Sequence, residues 1–480
     1  MQKQMRRNVN MTEGALAPNI LRFALPLIAA SLLQRAFNSA DMIVVGRYVG
    51  DNALAAVSST ASLINLLLNL CSGLSMGTNV LAANALGEGI EKRVHSIVHT
   101  SVLLAVLSGT CLMGIGILIS PTALRWMGSP ETIIGASTLY LRIYFLGVPG
   151  LLLYNFGSAL LRAGGDTRRP MRYLTLAGVT NVVLNLVFVL ILHMGVAGVA
   201  IATAASHWIS GGMVMRALMR ESGTLHLNLH KLRLNPGDVG QVLRIGIPAS
   251  IQAVVTSFSN VIIQSSVNSL GEAVMAGSGA AVNIENFTHV IMDGFYQACL
   301  TFTGQNLGAR KLERIDGVRR WCMLLAGASG FLVSAISCLF GHQLLGVFVK
   351  APEAIEAGQL RLLMFLPYCL VGMSTVLVGN MRGLGESIPP MIISLLGMCG
   401  FRVLWVATIF RTYHTAFALF LSYPVSWSMV LLAQRINLFF VRRRVFARVR
   451  LEEQERQAEQ ERQAEQERQT EQERQTEQNV

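Results

Sequence analysis

Asp41 is the one carboxylate in the first long apolar stretch of the chain, and Gln34 and Asn38 share its helical face at i, i+4 and i+7 spacing. An ionised aspartate at the middle of a bilayer helix costs about 3 kcal/mol even on lenient insertion scales, so it must face protein or a watery cavity. There it can hold a small cation, or load and release a proton, because burial disfavours the charged form of a carboxylate. A purely structural aspartate paired with a neighbouring helix is the competing reading. A second polar row, Glu285, His289 and Asp293, recurs every four residues in another apolar stretch, with Gln297 one turn beyond. It can attract cations or relay protons, and a hydrogen-bonded network between helices explains it equally well. Arg35 lies about 120° round its helix from Asp41 at about 100° per residue, so Asp293 or Glu285 is its expected partner. Asn65, Asn69 and Ser72, and likewise Ser257, Asn260 and Gln264, form shorter stripes whose first expected role is interhelical hydrogen bonding. Tyr154 and the methionines can line an adaptable apolar pocket or simply pack.

The elements that carry these residues are apolar almost throughout. The 480 residues are 52% hydrophobic and 14% charged, with mean hydropathy +0.48, which implies an all-α polytopic membrane protein. Apolar runs at about 19–45, 53–85, 95–120, 133–160, 171–192, 194–217, 241–268, 273–306, 321–345, 357–381, 390–410 and 415–440 predict twelve transmembrane helices. Met1–Asn10 is polar and basic and the first run carries Gln34, Arg35 and Asp41, so no cleavable leader is expected. The seven cysteines are scattered singly, as packing residues are, and neither a metal-ligand cluster nor a phosphate loop occurs. An enzyme embedded in the membrane would need such convergent groups, so no enzymatic activity and no cofactor beyond a coupling ion, H⁺ or Na⁺, is expected.

The net charge of +12 follows the loops. Lys92 and Arg93, then Arg162, Arg168, Arg169 and Arg172, then Arg216, Arg220, Lys231 and Arg233, then Arg310, Lys311, Arg314, Arg319 and Arg320 all follow even-numbered runs. By the positive-inside rule both termini are cytoplasmic, in the cell (inner) membrane, with anionic lipids rather than nucleic acid as the partner of that charge.

Laying the second half beneath the first at a shift of about 220 residues exposes an internal repeat. Leu21-Arg22-Phe23-Ala24-Leu25-Pro26 meets Leu243-Arg244-Ile245-Gly246-Ile247-Pro248, and Asn38 meets Asn260. Arg162-Ala163-Gly164-Gly165-Asp166 meets Arg382-Gly383-Leu384-Gly385-Glu386, a loop match that shared hydrophobicity cannot explain. Six spans per repeat make the halves parallel, two lobes related by a pseudo-two-fold axis along the membrane normal, with substrate and ion sites near their interface. The expected division is an N-terminal tail 1–18, an N-lobe 19–218, a linker 219–240, a C-lobe 241–446 and a tail 447–480. Asp41 has no acidic mate, since Ile263 and Gln264 stand at the shifted positions. From Glu455 the tail is four copies of Glu-Arg-Gln-Ala/Thr-Glu-Gln, with no apolar stripe, so a solvated helix or disorder is expected.

Leu33-Gln34, Phe37-Asn38-Ser39-Ala40-Asp41, Val44-Val45-Gly46-Arg47 and Ala53-Leu54-Ala55-Ala56-Val57 resemble the multidrug and toxic compound extrusion (MATE) family, as do Pro248-Ala249-Ser250-Ile251-Gln252 and Gly304-Gln305-Asn306-Leu307-Gly308-Ala309-Arg310-Lys311. The resemblance covers about residues 19–440. It implies a V-shaped twelve-helix antiporter that exports small amphipathic, often cationic compounds against Na⁺ or H⁺. By motif position Asp41 is then the coupling carboxylate, with Asn181, Asn185 and Thr203 completing a cation pocket; Na⁺ would sit at Asp41, Asn181 and Asn185. Many relatives carry an aspartate where this chain has Asn185, and the seventh helix lacks a glutamate used by some. Gln34, Asn38, Asn260, Gln264, Glu285, His289 and Asp293 are the candidate substrate contacts. One chain contains both lobes and is expected to work as a monomer. The alternatives on the same fold are a dedicated exporter of a metabolite such as a flavin, or a lipid-precursor flippase. A flippase favours a strongly cationic cavity, whereas the sequence sets mainly Arg35 against several acids. The charged loop of a major-facilitator transporter is missing at Gly87–Arg93.

Overall fold

The computed structural model describes residues 9–478; residues 1–8 of the expected N-terminal tail and the last two residues of the hexad tail lie outside the described residues. The described residues are helical and contain no strand. The first half comprises α1 (Leu16–Tyr48), α2 (Asp51–Glu88), α3 (Glu91–Trp126), α4 (Glu131–Leu146), α5 (Val148–Ala163), α6 (Arg168–Ile191) and α7 (Gly195–Met219). The second comprises α8 (Pro236–Asn268), α9 (Glu272–Gly308), α10 (Leu312–Leu339), the short α11 (Gly341–Gly346), α12 (Pro352–Met364), α13 (Cys369–Gly383), α14 (Ile388–Tyr413) and α15 (Ala416–Gln478). Eight of these helices are long and apolar enough to cross a bilayer, ten when each bent pair counts as one span. With α7 and α9, which are richer in small and polar residues, they form two sets of six. α15 continues as one helix through the hexad repeat, so of the two expectations for that segment the helix is observed.

The duplication is written in the backbone. The fourth span of each half is broken, by 44° between α4 and α5 and by 43° at Leu366 between α12 and α13, with Pro149 and Pro367 at the breaks. The fifth span of each half contains π turns, Val187–Ile191 in one and Leu395–Gly400 and Val406–Phe410 in the other. Left-handed residues recur in pairs: Gly50 and Gly271 (φ 107° and 98°), Gly89 and Arg310 (73° and 58°), Gly165 and Gly385 (84° and 86°), His193 and His414 (51° and 33°). Turns at the same places bring the same helix ends together, and the matched Arg-x-x-Gly-acid loop is one of them. There Asp166 accepts from the backbone N–H of Arg168 and Arg169 (3.0 Å each) and so caps α6. Its mate Glu386 accepts from Arg444 (2.6 Å).

The halves interlock at the end that carries the basic loops. A Cβ at Gly87 would strike the Gln305 carbonyl, and one at Gly308 the Asn84 carbonyl, so α2 and α9 touch through reciprocal glycines. Gly73 and Gly246 allow the same closeness between α2 and α8. The first half of α1 leaves its own lobe: Ile20, Phe23 and Ala24 pack with Phe295, Phe302 and Val318, and Phe23 meets Phe302 edge-on at 5.5 Å. The segment before α1 straps the same end. The Val9 N–H donates to the Gly165 carbonyl (3.1 Å), and Met11 O accepts from Asn306 (3.0 Å) and Arg314 (3.1 Å). Toward the other end Asn38 on α1 and Asn260 on α8, repeat mates, are both exposed.

Candidate ion-coupling pocket and inter-lobe cavities

Phe37 packs where a side chain on Gly178 would be, so α1 and α6 approach closely and Asp41, one turn on from Phe37, reaches into the first lobe. Asn185 is fully buried and its Nδ2 donates to Asp41 Oδ1 at 2.5 Å. Asn181, also buried, donates to Thr203 Oγ1 at 3.4 Å; in its other amide orientation Nδ2 donates to Asp41 Oδ1 (2.7 Å) and Oδ2 (3.2 Å) while its oxygen accepts from the Thr203 N–H (3.3 Å). Asp41, Asn181, Asn185 and Thr203 thus meet as a single cluster across α1, α6 and α7. Asn185 Oδ1 is buried beside the carboxylate with no hydrogen-bond partner. An amide oxygen in that position can accept from a protonated carboxyl or ligate a small cation. Tyr140, on α4 and buried, stands beside Asp41 and Thr203. The sequence analysis missed it because a tyrosine in an apolar helix has no periodic partner to mark it.

The second polar row divides. Glu285 turns into the second lobe, where both its oxygens accept from Arg361 (2.8 and 3.0 Å), and Arg361 also donates to Ser278 (2.6 Å). The rings of Phe365, Tyr423 and Phe420 lie 5.1–5.5 Å from its guanidinium carbon, and Arg402 stacks on Tyr423 at 4.4 Å. Glu285 is therefore neither a substrate contact of the open cavity nor the partner of Arg35. Arg361 of its own lobe reaches it first, and Arg35 is exposed and in no ion pair among the described residues. His289, Asp293 and Gln297 do line a cavity of about 400 Å³ between the halves, with Asn69, Ser257 and Arg382. A neighbouring cavity of about 160 Å³ is lined by Gln34, Tyr154 and Arg162 and shares Ser72, Met76, Asp293 and Gln297 with the first. Asn38, Asn260 and Gln264 are exposed and border neither cavity; Gln264 donates instead to Asn268 (2.9 Å). Asn69 donates to Ser257 across the halves at 3.5 Å, as the glue expectation has it.

Two arginines change the electrostatics inferred from sequence. Arg162 was grouped with the loop charges and Arg382 with the repeat motif, yet each sits in the last turn of its helix and lines a cavity. With Glu285 withdrawn, the two cavities hold Asp293 against Arg162 and Arg382. The repeated Arg-x-x-Gly-acid loop was the available signal: the arginine precedes the turn by most of a helical turn and so points inside.

The MatE family model matches the chain twice, over residues 26–187 and 248–408. Among curated relatives, the probable multidrug resistance protein YoeA of Bacillus subtilis is 29% identical over 405 residues, covering 82% of this chain and 88% of that protein. A protein named FAD transporter in Shewanella oneidensis is 22% identical over 344 residues, covering 70% and 75%. Among solved structures, a crystal structure of MATE in complex with MaD3S superposes with a TM-score of 0.83 at 22% identity, covering 92% of this chain and 98% of that one.

Proposed function

From the premise that the chain belongs to the MatE family, we propose that it is a cation-coupled antiporter whose coupling site is the Asp41 cluster. It is a membrane-spanning multidrug efflux transporter and not an enzyme, and it acts on small molecules. The observation that carries the coupling reading is the orphan Asn185 Oδ1 beside Asp41. A buried acceptor without a donor costs about 1–3 kcal/mol. A proton on Asp41, or a Na⁺ held between Asp41, Asn181 and Asn185, removes that cost, and losing the ion restores it. Ion loading thereby changes how α1 is held against α6 and α7, and alternating access of the two lobes, 19–218 and 241–446, follows from that change. Basic loops at the interlocked end support a cytoplasmic location for that end and for both termini, beside anionic lipid, and on that reading the chain opens outward. One chain carries both lobes and works as a monomer.

The test is gradient-driven efflux of a fluorescent amphipathic dye from proteoliposomes, with an imposed pH or Na⁺ gradient, for the unaltered protein and Asp41→Asn. Export driven by one gradient and lost in the variant identifies the ion. Unchanged efflux by a correctly inserted Asp41→Asn protein refutes the reading. A second reading, a dedicated exporter of a metabolite such as a flavin or a lipid-precursor flippase, is favoured by Arg162 and Arg382 on the cavity walls.

A further inference from the structure

We infer that the chamber between the lobes takes amphipathic compounds bearing an anionic group, a carboxylate or a phosphate, clamped between Arg162 and Arg382. The inference rests on the proposed export by alternating access, with the chamber between the lobes taken as the substrate site. The two arginines are repeat mates 220 residues apart, each in the last turn of the second half of a broken span, one from each lobe. Arg162 lines the smaller cavity and Arg382 the larger, and the two cavities share the walls made by Ser72, Met76, Asp293 and Gln297.

Their hydrogen bonding is unfinished. Arg382 donates to the neutral oxygens of Tyr296 (2.6 Å) and Gln252 (2.8 Å), which fix its plane without neutralising it, and its Nε is buried with no partner. Arg162 Nε is likewise buried with no partner. Neither guanidinium is in an ion pair among the described residues. A sequestered guanidinium left without a counter-ion is costly, and an oxyanion that accepts from its N–H groups removes the cost. Asp293, on the wall shared by the two cavities, balances one of the two charges and leaves the chamber a net host for an anion. An amine on the same compound would fall to Asp293.

The remaining surface sets the rest of the ligand. Met292, Val371, Val378 and Met398 supply an apolar wall of adaptable side chains. The larger cavity, about 400 Å³, lies within the range that holds compounds of drug size. The contrast with the second lobe's interior sharpens the assignment: Arg361, equally sequestered, is already neutralised by Glu285 and also donates to Ser278, so no uncompensated charge is left there for a ligand to answer.

Two pairs of probes that differ only in the charged group test this on the full chain in lipid nanodiscs: rhodamine B against its ethyl ester for a carboxylate, and flavin mononucleotide against riboflavin for a phosphate. The expected result is that at least one acid binds about tenfold or more tightly than its uncharged-group counterpart, and that Arg162→Gln or Arg382→Gln brings the ratio close to one. The pair that responds names the oxyanion. Arg162→Lys and Arg382→Lys, which keep the charge, should keep part of the preference. Equal or weaker binding of both acids by the unaltered protein overturns the inference without any variant, as does a preference that survives both glutamine substitutions. Asp41→Asn separates the two proposals, because it should leave the binding ratio intact while gradient-driven transport is lost. A preserved ratio with no gradient-driven transport in the unaltered protein sinks antiport alone.

Discussion

The two lobes share one scaffold and reverse its polarity. Counting along the repeat, Arg361, Arg402 and Tyr423 of the second lobe occupy the places of Tyr140, Asn181 and Thr203 in the first, at offsets of 221, 221 and 220 residues, and Ile263 takes the place of Asp41. The first lobe thus gathers a carboxylate and amides around an acceptor left without a donor. The second gathers two guanidiniums, answers one with Glu285, and encloses both with aromatic rings. One centre is unsaturated and half-open, as a site that exchanges an ion must be. The other is closed and its carboxylate is already paired, as in a structural core. Duplication preserved the bends, the π turns and the left-handed turns, and divergence changed only what those turns present.

The largest effect expected from disturbing this contrast is in the closed centre. Glu285→Leu strands Arg361 among rings without a counter-ion, and breaking a buried pair in this way costs about 3–5 kcal/mol. The variant should melt far below the unaltered protein in detergent, and Glu285→Leu/Arg361→Met should recover most of the loss. A single variant as stable as the parent would mean that the second lobe is as open as the first. Gly308→Leu comes next. Its side chain has no room against Asn84 and Glu88, so the interlocked state alone bears about 1–3 kcal/mol of overpacking. The lobes should then part at this end, shortening the distance between spin labels at positions 38 and 260; an unaltered distance distribution would show that the glycine contact does not hold the state. A smaller effect is expected at Asn185→Ala, which removes one donor to Asp41 and the orphan acceptor together. It should weaken ion-driven export about tenfold at subsaturating ion, with melting nearly unchanged. Loss of stability without loss of coupling would make Asn185 a structural residue like Glu285.

Much of this was legible before the fold was known. Span positions follow from hydropathy because a bilayer leaves the backbone few alternatives, and the repeat follows from loops that have no other reason to agree. Asp41 was legible because one carboxylate in an apolar helix has few benign explanations, while its neighbours Asn181, Asn185 and Thr203 came from motif resemblance. Glu285 was misassigned for a physical reason. Periodicity puts it on the face of His289 and Asp293, but a row spanning two helical turns meets different neighbours at each turn. Arg361 lies in a separate apolar run and has no sequence mark that ties it to Glu285. Arg162 and Arg382 look like topology signals because the positive-inside rule counts charges and does not see which way they point.

The smallest effect expected is at the contact that joins the lobes across the larger cavity. Asn69 and Ser257 both line it, and their hydrogen bond is long at 3.5 Å and exposed, so water can replace either partner. Ser257 also donates to the Ala253 carbonyl within its own helix (3.1 Å), which leaves Asn69 a weak claim on it. Ser257→Ala should therefore change melting by less than about 0.5 kcal/mol, below the range of an ordinary buried hydrogen bond. Transport is the more telling readout. If the pair is only glue, KM and maximal rate for an exported dye stay together near the parent values. If Ser257 touches cargo, KM rises while the gradient dependence is kept. That result would shift the substrate site toward α2 and α8, away from the arginines, and would bring the two lobes' contributions to the cavity closer to equal.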